Sequence, residues 1–346
     1  MSQAQAQLAL PGVVTETAAE WVWSDETGEE AEVPDFVHAT VMKTEVTSSL
    51  LGIAPRAGIY VDATVGGGGH SEAILEAHAE SRIVALDRDQ IALDAARSRL
   101  ERFGDRVTFV KTPFGRIAEA LDELGIEQVA GICADLGVSS PQLDDAARGM
   151  SFRREGPIDM RMDPSEGEET ALELIDRLSD DQLADIIFQY GDERRSRRIA
   201  RSVKRALGDN QLFTTLDLRR AIVRAVGPVR VGGVDPATRT FQALRIAVNR
   251  ELEELEELIA ALPRLVEPGG VAAILSFHSL EDRLVKQGFA KLATGCICPP
   301  LLPICACGRS ASWRVLTKKS VQAGEAELAK NPRARSARLR AVERLA

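Results

Sequence analysis

The sequence predicts an α/β domain built on a parallel sheet and interrupted by a helical insert. Three observations carry this reading. Short β-branched runs alternate with helix-like segments over residues 58–137, the alternation stops between about 143 and 237, and it then resumes toward the C-terminus. Near-continuous apolar strands separated by helices are the pattern of a parallel sheet covered on both faces.

The strands of the first half are GIYVD (58–62), RIVALD (82–87), RVTFVK (106–111) and VAGICADLG (129–137). Helices are expected between them at 71–79, 90–103 and 114–125. The stretch from 143 to 237 holds no comparable strand but several amphipathic helices. One starts at Ser179, where Ser179 as N-cap and Gln182 three residues on form a capping box, and Leu183, Ile186 and Ile187 follow with helical spacing. The sheet pattern returns after an acidic helix at 250–262, with strands expected at 269–277, 313–319 and 337–345 and a helix at 279–293. The resulting division is an N-terminal extension at 1–35, a domain formed by 36–142 and 238–346, and a helical insert at 143–237.

A chain of 346 residues is long enough for two domains. Its 45% hydrophobic and 27% charged residues suit a soluble globular protein. No apolar run approaches the ~20 residues of a membrane-spanning helix, and the N-terminus lacks the basic start of a secretory signal. A cytoplasmic location without membrane association is therefore expected. The net charge of −9 is unevenly spread: residues 1–35 carry eight acidic residues and no Lys or Arg. That extension has little hydrophobic periodicity and is expected to be disordered. Basic residues cluster instead at 190–205, with seven Lys or Arg against two acids, and at 330–346, with six against one. An acidic chain with local basic faces retains nucleic acid among its candidate partners.

Of five cysteines, Cys296, Cys298, Cys305 and Cys307 fall within a C-I-C-x6-C-A-C run, while Cys133 stands apart. In a cytosolic chain such a cluster suits a metal better than disulfides. C-x-C is nonetheless a poorer chelating spacing than C-x2-C. Structural zinc and free, redox-labile thiols both stay open, and no residue is assigned as a metal ligand of the functional site.

Four consecutive glycines, Gly66 to Gly69, join the first strand to the first helix. Such a turn brings backbone N–H groups and a helix N-terminus toward a ligand. Counting G-x-G-x-x-G from Gly66 puts Ser71 at the third position, which departs from the dinucleotide fingerprint. Asp87 ends the second strand, where a carboxylate can bind the ribose hydroxyls of NAD or of S-adenosylmethionine alike. Asp89 reads as a helix N-cap. Phe114, after the third strand, reads as either an adenine-stacking or a core residue. Asp135 ends the fourth strand, so Asp62, Asp87 and Asp135 share the carboxyl rim where open α/β sheets bind ligands.

Several segments then carry a resemblance: HATVMKTEV (38–46), VDATVGGGGHSEAIL (61–75), ALDRDQIAL (85–93), ADLGVSSPQLDDAARGMSFRREGPIDMRMD (134–163), PATRTFQALRIAVNRELEELE (236–256), ILSFHSLEDRLVK (274–286) and NPRARSARLR (331–340). Together they closely resemble the bacterial ribosomal RNA small subunit methyltransferase H family, the 16S rRNA cytosine-N4 methyltransferases, from about residue 36 to the C-terminus. The resemblance implies a class I S-adenosylmethionine-dependent methyltransferase fold (a Rossmann-like sheet) with an inserted all-helical domain that helps recognise substrate. It implies S-adenosylmethionine contacts at Gly68, Gly69, His70, Asp87, Phe114, Asp135 and Gln142, of which His70 and Gln142 follow from the resemblance alone. It also implies action on a cytidine of the decoding region near the P site, within the small ribosomal subunit. Whether the chain is a monomer or a homodimer stays open.

The N4 amine of cytosine is a weak nucleophile, and groups accepting its hydrogens would assist transfer. The D/N/S-P-P-Y/F/W segment of DNA amino-methyltransferases has no counterpart in DLGVSSPQ, so the amine must be held differently. Asp135 and His278 are the candidate catalytic residues, with Ser139 and Ser140 beside them, although His278 and Ser279 also suit a helix cap. Arg153, Arg154, Arg161 and the 194–205 cluster are candidates for RNA backbone contact, with Arg239 and Arg245 divided between that role and structural pairing. The competing readings are a dehydrogenase, a methyltransferase acting on another nucleic acid or a small molecule, and a ribosome-assembly factor that binds the cofactor without turnover.

Overall fold

The computed structural model describes residues 40–52, 57–228, 235–296, 298 and 307–346. The expected acidic extension at 1–35 and Cys305 lie outside the described residues.

All seven anticipated strands form one sheet: β1 (Ile59–Asp62), β2 (Arg82–Asp87), β3 (Val107–Lys111), β4 (Val129–Asp135), β5 (Val266–Ser276), β6 (Trp313–Val315) and β7 (Arg338–Arg344). Their order is β3-β2-β1-β4-β5-β7-β6. The first five run parallel, while β7 is antiparallel to both β5 and β6. This is the class I methyltransferase arrangement, with a topological switch point between β1 and β4 where ligands are received.

The thirteen α-helices among the described residues are α1 (Lys43–Leu51), α2 (Gly69–Ala77), α3 (Gln90–Leu100), α4 (Ile117–Glu123), α5 (Ser140–Asp144), α6 (Ala171–Arg177), α7 (Asp180–Gly191), α8 (Ser196–Gly208), α9 (Thr215–Val226), α10 (Thr238–Asn249), α11 (Glu251–Leu265), α12 (Ser279–Leu292) and α13 (Glu325–Leu328). Alternation along each strand divides the core between the two faces of the sheet. On β5, Val271, Ala273 and Leu275 join α1, α2 and α3 on one face. Ala272 and Ile274 join α4, α11 and α12 on the other.

The insert has its own apolar cluster, formed by Leu174, Leu183, Ile187, Ile199, Val203, Leu218 and Ile222 among others. Ser179 caps α7 through the anticipated capping box with Gln182. Phe241 and Leu244 of α10 are buried in this same cluster. The core of the insert thus continues past the expected boundary at 237, and α10 packs with α7 rather than with the sheet.

Two buried arginines join the insert to the sheet domain. Arg88, after β2, donates to the Asn249 carbonyl at 3.1 Å and to Glu254 Oε1 at 3.2 Å from Nη1, and to Glu168 Oε2 at 3.0 Å from Nη2. Burial pushes Glu254 up to about 7 even with Arg88 opposing it. Arg148 donates to the Met162 carbonyl at 2.8 Å and to Asp89. Asn249 completes the junction by accepting from Met162 N–H at 2.7 Å and donating to the Met160 carbonyl at 2.8 Å.

Candidate active site at the carboxyl edge of the sheet

Asp62, Asp87 and Asp135 end three adjacent strands and so share one rim. Their surroundings separate them. Asp62 is fully buried, which pushes its carboxyl up, and its Oδ2 accepts from Ser71 Oγ at 2.7 Å. That bond ties the first turn of α2 to the end of β1. Asp87 accepts backbone N–H groups on both oxygens, from Gly66 and from Asp89, each at 2.9 Å. Burial nevertheless pushes Asp87 up to about 6. Each of its oxygens retains a lone pair for a further donor.

The glycine turn is held by Val65 N–H donating to the Leu86 carbonyl and Gly68 N–H donating to the Val65 carbonyl. Gly66 and Gly68 have φ of 49° and 77°, a region that penalises a Cβ. A Cβ on Gly68 would lie 3.3 Å from the Leu100 side chain, and one on Gly69 would lie 1.7 Å from Thr40 Oγ1. Packing of α2 against α3 and Thr40 therefore accounts for the missing side chains at these two positions. At Gly66 the nearest atom to such a Cβ is the Thr64 carbonyl oxygen at 3.9 Å.

His70, in the first turn of α2, is buried, and its Nε2 lies 3.5 Å from Asp135 Oδ2. That separation is beyond a good hydrogen bond. Both ring nitrogens of His70 and Oδ1 of Asp135 are buried without a hydrogen-bond partner. The backbone N–H of Asp135 donates to Thr64 Oγ1, so the end of β4 is fixed to the turn after β1 while Oδ1 of its carboxylate is left unsatisfied.

The other expected contacts are engaged within the protein. Gln142 donates from Nε2 to Asp89 Oδ2 at 3.0 Å, and its Oε1 accepts the Ser139 N–H at 3.0 Å, capping α5. Phe114 is partly buried against the α4–α11 face of the sheet. Asp89 is the expected N-cap, accepting from Ile91 N–H at 3.0 Å. His278 is the N-cap of α12: its Nδ1 accepts from Glu281 N–H at 3.4 Å while Glu281 Oε2 accepts from Phe277 N–H at 2.8 Å. Its Nε2 lies 3.2 Å from Glu281 Oε1. Against the effect of burial, the facing His278 side chain and the Phe277 N–H hold the Glu281 carboxyl below its usual range. Asp135 pairs with Leu275 in the β4–β5 register, so His278 follows the strand next to Asp135.

The expected RNA-facing arginines divide in the same way. Arg245 is bound through two bonds to Glu251, each 2.8 Å, and Arg161 to Asp159 at 2.8 and 2.7 Å. Arg195 donates to the Val226 carbonyl and Arg239 to the Asp192 carbonyl. Arg194, Arg197, Arg198 and Arg201 lie on the exposed side of α8 and its entrance, opposite the buried Ile199, Ala200 and Val203.

Sequence reading missed Arg88, Arg148 and Asn249. The available signal was an arginine between two aspartates, Asp87-Arg88-Asp89, at a strand end.

Sequence comparison gives a consistent assignment. The profile of the MraW methylase family matches residues 35–345. A ribosomal RNA small subunit methyltransferase H from Sorangium cellulosum is 56% identical over 308 residues, covering 89% of this chain and 91% of that protein. The protein of the same name from Geobacter sp. strain M21 is 48% identical, covering 90% and 99% respectively. With nearly the whole chain matched, this protein belongs to the MraW methylase family.

Proposed function

We propose that the protein transfers a methyl group from S-adenosylmethionine to the N4 amine of a cytidine in the decoding region of 16S rRNA, within the small ribosomal subunit. The observation that carries this reading is the buried His70 ring beside Asp135 at the switch point, with both ring nitrogens and Asp135 Oδ1 unsatisfied near Asp87. A buried polar atom without a partner costs about 1–3 kcal/mol, so such a cluster is tolerated where a polar ligand completes it.

The residues fit the cofactor. Asp87 has lone pairs for ribose hydroxyls, the turn at Gly66 has room on its open side, and Asp135 and His70 offer an acceptor and a ring to the polar groups of the methionine end. S-adenosylmethionine supplies a methyl group on a positively charged sulfur, open to in-line attack. On this reading Asp135 accepts a hydrogen bond from the N4 amine, orienting its lone pair and taking its proton after transfer. His278 caps the first turn of α12, which follows the strand paired with the end of β4, and the insert presents the α8 arginines to RNA phosphates.

The test is incubation of labelled S-adenosylmethionine with small subunits, free 16S rRNA and DNA. Label on N4 of one cytidine in the subunit is the expected outcome. Label on DNA, or cofactor binding without transfer to any substrate, overturns the proposal.

A further inference from the structure

We propose that the loop between α12 and β6 holds a structural zinc ion through the thiolates of Cys296, Cys298 and Cys307. These three cysteines come from two ends of the loop, yet their sulfurs all lie within 4.8 Å of one another. Sγ of Cys307 is 3.7 Å from Sγ of Cys296. Two thiolates on a tetrahedral zinc, each with a bond of about 2.3 Å, are separated by about 3.8 Å. A disulfide would bring them to about 2.05 Å. The Cys298 N–H donates to Cys296 Sγ at 3.4 Å, so the C-x-C turn folds its own backbone onto the first thiolate. Such N–H···S bonds stabilise a ligating sulfur.

The loop is closed at its base. A Cβ on Gly295 would lie 2.7 Å from the Ala311 backbone nitrogen, so the chain before Cys296 and the chain before β6 run against each other. A metal joining Cys296 and Cys298 to Cys307 would staple the loop immediately above that contact. Soft thiolates in tetrahedral spacing select zinc over the hard, oxygen-seeking magnesium and calcium. Binding displaces the thiol protons to solvent and leaves three of four tetrahedral positions filled by these cysteines.

The site is remote from methyl transfer. Trp313 at the start of β6 pairs with Arg344 of β7, and Glu343 of β7 pairs with Val271 early in β5. Asp135 pairs with Leu275 at the opposite end of β5. A structural role follows, at the end of the sheet opposite the rim that holds Asp87 and Asp135.

Full-length protein purified from zinc-supplemented cells under reducing conditions should carry about one zinc per chain by mass spectrometry. Cobalt exchanged into it should show the thiolate charge-transfer and visible bands of a tetrahedral thiolate site. Cys296→Ser combined with Cys307→Ser should lose both signals, whereas Cys133→Ala should keep them. Should the double variant fail to fold, mercurial modification of the wild-type thiols, read with a zinc indicator dye, supplies the answer by releasing the metal. Failure to bind zinc or cobalt, retention of metal by a folded double variant, or a Cys296–Cys307 disulfide in freshly reduced protein would overturn the proposal. Methyl transfer by the folded double variant should persist, so this result is independent of the catalytic reading.

Discussion

Arg148 clasps Asp89 with two hydrogen bonds from Nη2, at 3.1 and 2.8 Å, and both side chains are buried. The pair connects the segment leading into the insert with the N-cap of α3, two residues from Asp87. Removing one partner from a buried ion pair strands the other's charge, at about 3–5 kcal/mol. Arg148→Ala should therefore lower the urea unfolding midpoint by an amount equivalent to that loss. Gln142→Ala removes a neutral donor to Asp89 together with the acceptor of the Ser139 N–H at the start of α5, and should cost less, about 1.5–3 kcal/mol. Equal, small losses for the two variants would show that the pair does not hold the junction.

The sheet was legible because buried strands announce themselves as β-branched runs, as RIVALD and VAAILS do. Helix α10 was harder to place, since its apolar residues fit either domain and only packing against α7 assigns them to the insert. The rim carboxylates were legible from strand ends alone. Their division of labour was not: Asp62 and Asp87 occupy equivalent positions, and their hydrogen-bond partners distinguish them, the Ser71 hydroxyl for Asp62 and the Gly66 and Asp89 N–H groups for Asp87. Arg88 and Arg148 were missed because an isolated arginine reads as surface unless its partners, here up to 166 residues away, are known.

The pH response should centre on Asp87. Its carboxyl titrates at about 6 when folded and 3.8 in the ordinary state, so the folded protein holds this proton more firmly than the unfolded chain. The contribution of Asp87 to stability is full below pH 3.8, falls as pH rises from 3.8 to about 6, and is then constant. Ribose hydroxyls instead favour the ionised carboxylate. Cofactor affinity measured by calorimetry should thus weaken up to tenfold per pH unit below about 6, and Asp87→Asn should remove that dependence along with most of the affinity. A wild-type affinity unchanged from pH 7 to 5 would take Asp87 out of the cofactor site.

Asp135 and His278 make opposite predictions. Asp135→Asn keeps the shape of the rim but removes the proposed proton acceptor, and should lower single-turnover rates by about 10²–10⁴-fold. His278→Asn removes the imidazole while retaining a good N-cap, so turnover should stay near that of the parent. His278→Ala should cost about 0.5–2 kcal/mol through the lost cap. A large loss of turnover in a stable His278→Asn variant would instead make the imidazole a participant in the chemistry.

The basic side of α8 should act through phosphate charge alone. Its arginines sit opposite the apolar residues that anchor the helix, so changing them leaves the core of the insert intact. Each phosphate contact on single-stranded RNA contributes about 0.7 to the slope of log affinity against log salt. Replacing Arg194, Arg197, Arg198 and Arg201 together with glutamine should flatten that slope by up to about 3 in filter-binding titrations at several salt concentrations. Arg195, committed to the Val226 carbonyl, should alter folding of the insert more than the salt response. An unchanged slope in the fourfold variant would remove this face from the RNA interface and leave recognition to the rim and the segment around Arg153.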